Sequence, residues 1–422
     1  MTNTLNVFYE KTKIGELKRD KELTLSFQYS HEWINNPNQF PLSLAMPVQE
    51  KPFGNKVTIS FFENLLPEGN IRKALADHHK LENPYEFLKK FGQDCAGAIL
   101  ITENDTSPAL ESNQKSELEI NIKNIYNAIE DKQSVAEAIS EENPGYLSIA
   151  GAQDKFPAIY KNKKFYLPRN GAPTTHIIKV PIFRSGVKES VFNEYYCMQL
   201  AKLVGLNVPR TRVLDNGEHA LLIVDRYDRT HTKDKDVIRI HQQDFCQAQG
   251  ITSEMKYESK GGPSLKNNYD LIVKHVDIHK RKDAIYSFID WLCFNLLIGN
   301  NDSHSKNISF ILSNHKIQMA PFYDLLCTAI YPKLSQEFSF SIGDRMNFSK
   351  ISLNQIYLLE ESLGVKKKFV VERMLSMKTK LLAQKEDLAN KIKIDFPRVK
   401  IAHRISKLIQ DRCKSIEVQG IH

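Results

Sequence analysis

Between residues 281 and 298 apolar side chains return at helical spacing: Ile285, Phe288, Ile289, Leu292 and Leu296 mark a helix with one buried face. Gly299 suits the left-handed residue that ends such a helix. Ile308 to Leu312 and Ile317 to Ala320 then read as two short strands about the turn Ser313-Asn314-His315-Lys316. Toward the N-terminus, Leu5 to Tyr9 and Leu23 to Phe27 alternate as strands, with Ile14-Gly15-Glu16-Leu17 between them, and helices are expected over Ile59 to Leu66 and Asn70 to His79. Residues 105 to 145 are polar, with a surface helix near Lys132 to Ser140, and mark a domain boundary. Beyond them come strands at Phe156 to Tyr160, Phe165 to Leu167, Thr175 to Pro181 and Ala220 to Val224, and a helix over Glu189 to Val204. After Arg229 helical periodicity dominates, broken by Gly261-Gly262-Pro263, Ser341-Ile342-Gly343-Asp344 and Asp395-Phe396-Pro397.

The helix–turn–hairpin stretch carries the chemistry. Asp302 and Asn307 have the D-x-x-x-x-N offset that separates a catalytic base from a metal-binding amide in kinases. In an antiparallel hairpin the start of the first strand lies beside the end of the second, roughly 5 Å away. Asn307 stands at that start and Asp324 just past that end, so the two could share one ion while Asp302 orients a hydroxyl. A lone D-x-x-x-x-N pair is also what a polar helix-capping turn presents. Pair, hairpin and following acid together point to magnesium-dependent phosphoryl transfer.

Such a site needs a phosphate cradle and a cation. Ala150-Gly151-Ala152 is a small-residue loop whose backbone could approach a phosphate, or an ordinary tight turn. Lys179, among β-branched residues, is either an edge-strand lysine or the cation for the α- and β-phosphates. Glu194 is a possible partner for it, with Glu189 as competitor. Asp225-Arg226-Tyr227-Asp228 occupies the place of a hinge, where Asp228 could reach a ribose, or it is simply a strand ending in a charged turn.

Composition adds location. With 422 residues, 41% hydrophobic and 26% charged, the chain has room for two or three domains of ordinary soluble character. The formal charge is +8, and residues 365 to 422 carry 15 Lys+Arg against 6 Asp+Glu, so the whole excess lies there. That segment is either a solvated helical face or a surface for an acidic partner such as nucleic acid. No export signal, membrane-length apolar run or Cys-x-x-Cys spacing is visible; the 6 cysteines are expected reduced, in a cytoplasm.

Several ordered blocks resemble the HipA family of serine/threonine-kinase toxins of type II toxin–antitoxin pairs. They include Phe61-Phe62-Glu63-Asn64-Leu65-Leu66-Pro67, Ser148 to Lys155, Thr174 to Lys179 and Asn193-Glu194-Tyr195-Tyr196. Asp244-Phe245-Cys246-Gln247, Lys256-Tyr257-Glu258-Ser259, Asp302 to Asn307 and Pro321-Phe322-Tyr323-Asp324 continue the series. The resemblance implies an α+β, two-lobed protein-kinase-like fold related to lipid kinases, with an added N-terminal α/β subdomain and an all-helical C-lobe. Its expected divisions are residues 1–107, 108–228 and 229–422. By position, Asp302 would be the catalytic base, Asn307 and Asp324 the magnesium ligands, and Ser148 an autophosphorylation site that switches the enzyme off. ATP would meet Ile149, Ala150, Gly151, Ala152, Gln153, Lys179, Asp225, Tyr227, Asp228, His304 and Lys306. Ser303 departs from the glycine common in the family. The implied partners are a HipB-like helix-turn-helix antitoxin, operator DNA through that complex, and an aminoacyl-tRNA synthetase substrate such as glutamyl-tRNA synthetase. The rival readings are a small-molecule phosphotransferase and a DNA-bound corepressor with little kinase activity.

Overall fold

The computed structural model describes residues 3–108, 117–142, 151, 153–168, 171–232, 236–313 and 316–421. The chain forms two compact units. One comprises Met1–Pro181, Leu214–Ser253 and Phe310–Lys316; the other comprises Ile182–Val213, Glu254–Ser309 and Ile317–His422.

In the first unit, β1 (Asn3–Tyr9), β2 (Thr12–Arg19), β3 (Leu25–Tyr29) and β4 (Ile99–Thr102) make a four-stranded sheet in the order β3-β2-β1-β4. Leu5, Val7, Ile14, Leu17 and Phe27 pack against Trp33, Phe61, Phe62, Leu88 and Phe91, whose burial drives the collapse of this part of the chain. A second sheet uses β5 (Glu117–Ile120), β6 (Lys155–Lys161), β7 (Lys164–Pro168), β8 (His176–Lys179), β9 (Thr211–Asp215) and β10 (Ala220–Asp225) in the order β5-β7-β6-β8-β10-β9. Leu221, Leu222 and Ile223 of β10 are all buried, as expected of an interior strand covered on both faces. β11 (Arg229–His231), β12 (Val237–Arg239) and β13 (His241–Asp244) continue this unit, and β11 pairs with β12.

A buried ion cluster ties these strands to the N-terminal part. Asp94 lies 3.1 Å from Arg226, 2.8 Å from Arg229 and 3.3 Å from Arg239, while Asp228 lies 2.7 Å from Arg226 and 3.0 Å from Arg229. Burial alone would raise both carboxyl pKa values, but the guanidinium groups outweigh it and hold both below the usual range.

The second unit is carried by helices, among them Ser190–Leu203, Leu265–His275, Ile278–Ile298, Leu353–Leu363, Phe369–Asp395 and Ile401–Val418. The hairpin strands β14 (Ser309–Ser313) and β15 (Lys316–Met319) are as the sequence indicates, with Phe310–Lys316 counted in the first unit. An all-helical lobe over residues 229–422 is corrected: β11, β12 and β13 fall inside that span but in the first unit, and β16 (Glu337–Ile342) and β17 (Arg345–Asn347) flank the break read at Ser341 to Asp344, which is a hairpin turn with Phe338, Phe340 and Ile342 buried. Glu189 accepts from the backbone N–H groups of Lys400 and Ile401 at the start of the last helix, at 3.2 and 2.7 Å. Several C-terminal cations are spent on packing: Arg373 pairs with Asp290, Arg412 donates to the Leu296 carbonyl at 2.7 Å, and Lys385 is buried. Among the described residues no helix is long and apolar enough to cross a membrane, and all 6 cysteines are free and buried.

Candidate active site

The helix Ile278–Ile298 ends at Gly299 with φ 76°, so the chain leaves in the left-handed conformation expected there. The loop that follows is densely hydrogen-bonded and buried except at Asp302, which is exposed. Asn300 donates to Asn295 Oδ1 at 2.8 Å and to the Asp324 carbonyl at 3.3 Å, while its own Oδ1 accepts from the Asp302 N–H. The Asn301 N–H donates to Thr328 Oγ1 at 2.8 Å, and the Asn301 carbonyl accepts from Ser339 Oγ at 2.7 Å. Ser303 donates to the Asn300 carbonyl, so the residue that departs from the family's glycine is absorbed into the loop. Ser305 and Asn268 exchange hydrogen bonds at 2.9 and 3.2 Å. Buried polar groups paired this fully hold a loop in one conformation.

Asn307 donates from Nδ2 to the Asp302 carbonyl at 3.0 Å, which leaves Oδ1 as its remaining donor atom toward a cation. The Tyr323 hydroxyl bridges the Lys306 carbonyl at 2.9 Å and Ser309 Oγ at 2.6 Å. Ala320 N–H meets the Ser309 carbonyl at 2.9 Å. These bonds join the segment just before Asp324 to the Asn307 end of the hairpin. Asp324 itself has φ 55°, a left-handed conformation that costs a non-glycine residue about 1–2 kcal/mol and that clusters at functional sites. An amide oxygen and a carboxylate form an all-oxygen donor set, which fits a hard cation such as magnesium.

His304 is buried, and its Nδ1 has no hydrogen-bond partner among the described residues. Burial first, then Lys256 and Lys306, push its pKa well below the ordinary histidine value, while Asp324 pulls the other way. These influences favour the neutral ring. Lys306 is buried beside it in sequence.

The remaining expected residues belong to the first unit. Lys179 is buried at the end of β8, flanked by Lys155 on β6 and Leu222 on β10, so it is not an edge-strand lysine. Gly151 has φ 115°; its carbonyl accepts from Glu68 N–H at 3.0 Å, and a Cβ there would stand 2.7 Å from Lys155 Nζ. Gln153 donates to the Val180 carbonyl at 3.0 Å. Ser148, Ile149, Ala150 and Ala152 lie outside the described residues.

The residues expected at the hinge lie at the end of β10 and just beyond it. Arg226 N–H donates to the Thr175 carbonyl, Asp225 faces His176 at 3.4 Å, and the Tyr227 hydroxyl meets Gln242. Asp228 is corrected. It is buried, one oxygen accepting from Arg226 and the other from Arg226 and the Gly97 N–H, so it serves the ion cluster and not a ribose. Of the two acids proposed beside Lys179, Glu189 is spent on the helix cap and Glu194 is buried.

Asn300, Asn301, Asn268, Tyr257 and Tyr323 escaped the sequence reading, although Tyr257 and Tyr323 fall inside blocks that resemble the family. A family model described as HipA-like C-terminal domain matches residues 147–385, and one described as HipA N-terminal domain matches residues 5–102. Y4mE of Sinorhizobium fredii strain NGR234, named as a kinase, is 34% identical over 371 residues, covering 86% of each chain. The serine/threonine-protein kinase toxin HipA of Shewanella oneidensis is 28% identical over 395 residues, covering 88% of this chain and 86% of its own. A chain of the solved Shewanella oneidensis MR-1 complex of HipA, HipB and operator DNA superposes with a TM-score of 0.83 at 25% identity, covering 98% of both chains.

Proposed function

The chain belongs to the HipA family, and from that premise we propose that it is an ATP-dependent protein serine/threonine kinase acting as the toxin of a toxin–antitoxin pair. The observation that carries this reading is the loop in which Asn307 is bonded to the Asp302 carbonyl while Tyr323 draws the Asp324 end of the hairpin against it. Asp302 takes the proton of the acceptor hydroxyl as the acceptor oxygen bonds to the γ-phosphorus and the bond to the bridging oxygen breaks, releasing ADP. Asn307 and Asp324 would hold magnesium, which supplies neutralisation of phosphate charge. Lys179 and the loop at Gly151 would take the ATP phosphates, and the unpartnered Nδ1 of neutral His304 would accept from a ligand donor.

The finer reading is a protein serine acceptor on an aminoacyl-tRNA synthetase, glutamyl-tRNA synthetase being the first to test, with self-limitation through phosphate on Ser148. It rests on the family blocks. A HipB-like partner and operator DNA are part of the proposal, supported by the relative solved with both. Incubation of the protein with γ-labelled ATP and whole-cell extract tests the reading: a labelled synthetase-sized acceptor is expected. Asp302→Asn should lower transfer about a hundredfold or more while ATP binding is kept. Near-wild-type transfer by that variant would remove the base assignment, and label on small molecules alone would favour the phosphotransferase.

A further inference from the structure

Tyr257 stands outside the roles given so far, yet its hydroxyl donates to Oδ1 of Asp302 at 2.6 Å. That length is typical of an O–H group bonded to an ionised carboxylate. The ring also meets His304 of the same loop edge-on, with centroids 5.1 Å apart and planes at 82°.

The segment that presents Tyr257 is built to hold it. Its carbonyl accepts from the N–H groups of Lys260 and Gly262, each at 3.0 Å, which closes a short turn on both sides of Glu258–Lys260. A Cβ at Gly262 would fall 1.8 Å from the Met255 carbonyl, so only glycine lets the turn close. The next residue, Glu258, accepts from Ser341 N–H at 2.9 Å and pins the turn to β16.

We infer that Tyr257 is a positioning residue for the general base. Building on the kinase reading above, a donor fixed on Oδ1 restrains rotation of the Asp302 carboxylate and so holds the base in one plane toward the acceptor hydroxyl. The arrangement is a base oriented by a third group, here supplied 45 residues earlier in the chain.

Tyr257→Phe removes one oxygen and keeps the ring against His304. The maximal transfer rate at saturating labelled ATP, with a fixed amount of extract, should fall about ten- to a hundredfold with KM for ATP unchanged, from the strength of a hydrogen bond to a charged group. Adding Asp302→Asn to Tyr257→Phe should cost nothing beyond Asp302→Asn alone. A wild-type rate, in a series where Asp302→Asn is inactive, would overturn the inference and leave the kinase reading standing. A faster Tyr257→Phe would overturn it too, marking the phenol as a latch in the acceptor's place. A wild-type protein without transfer would overturn both.

Discussion

Replacing Asp94 by asparagine isolates the charge of the buried cluster with almost no change of shape. Asp94, Arg226, Arg229, Asp228 and Arg239 have side chains at most 6% exposed, and two carboxylates face three guanidinium groups there. One positive charge is already in excess. Arg229 reflects it, with burial and then Arg226 bringing its pKa down to about 10. Arg239 Nε has no partner among the described residues. Asp94 also accepts from Thr174 N–H at 3.2 Å and from the Thr174 hydroxyl. Asparagine can replace some of this acceptance but not the charge, and it brings an N–H₂ toward three cations. Removing one partner of a buried pair costs about 3–5 kcal/mol; the retained acceptor places this variant near ~3 kcal/mol. The assay follows from where the tryptophans fall: Trp33 is in the first unit and Trp291 in the second. In a Trp291→Phe background, urea unfolding followed by fluorescence reports the first unit alone. The cycle with Arg239→Met should show coupling above about 1 kcal/mol, since residues in one ion network are not additive. A loss below ~1 kcal/mol, or strict additivity, would refute the account of the cluster and with it the argument that removes Asp228 from the nucleotide.

His241 supplies a pH test on the same unit. It is buried, donates from Nε2 to the Leu42 carbonyl at 2.9 Å and stacks on Phe40; burial pushes its pKa down to about 4. A histidine held neutral in the fold and near 6.5 when unfolded contributes stability that is complete above pH 6.5 and lost as pH falls toward 4, to about 3 kcal/mol in all. Urea titrations of wild type and His241→Gln between pH 7 and pH 4.5 should diverge in slope; parallel curves would mean that the ring charges freely in the fold. Ser148→Ala tests the proposed switch: transfer should persist, and the decline in rate on incubation with ATP should vanish. Mass spectrometry before and after ATP should find phosphate at Ser148 in the wild type, and a variant that still loses activity with time would exclude that site.

What could be read from the sequence, and what could not, divides along sequence distance. The hairpin and the turn at Gly299 were legible because strand alternation and a glycine stop are local patterns. β4 was missed because all four of its residues are buried, leaving no alternation to detect. The strands about Ser341 to Asp344 were missed for a different reason: their turn was visible but was read as a break between helices. Asp228 misled because Arg226-Tyr227-Asp228-Arg229 looks like a solvated turn until Asp94, 132 residues from Arg226, folds against it. Tyr257 follows the same logic. The groups proposed to carry the chemistry of this loop sit within a few residues of one turn, where spacing can reveal them. The group that orients the base comes from another segment, and only the closing of the turn around Gly262 brings its hydroxyl to Asp302. Gly262→Ala should therefore reproduce the loss expected of Tyr257→Phe while leaving the phenol in place, because it displaces the segment that aims it.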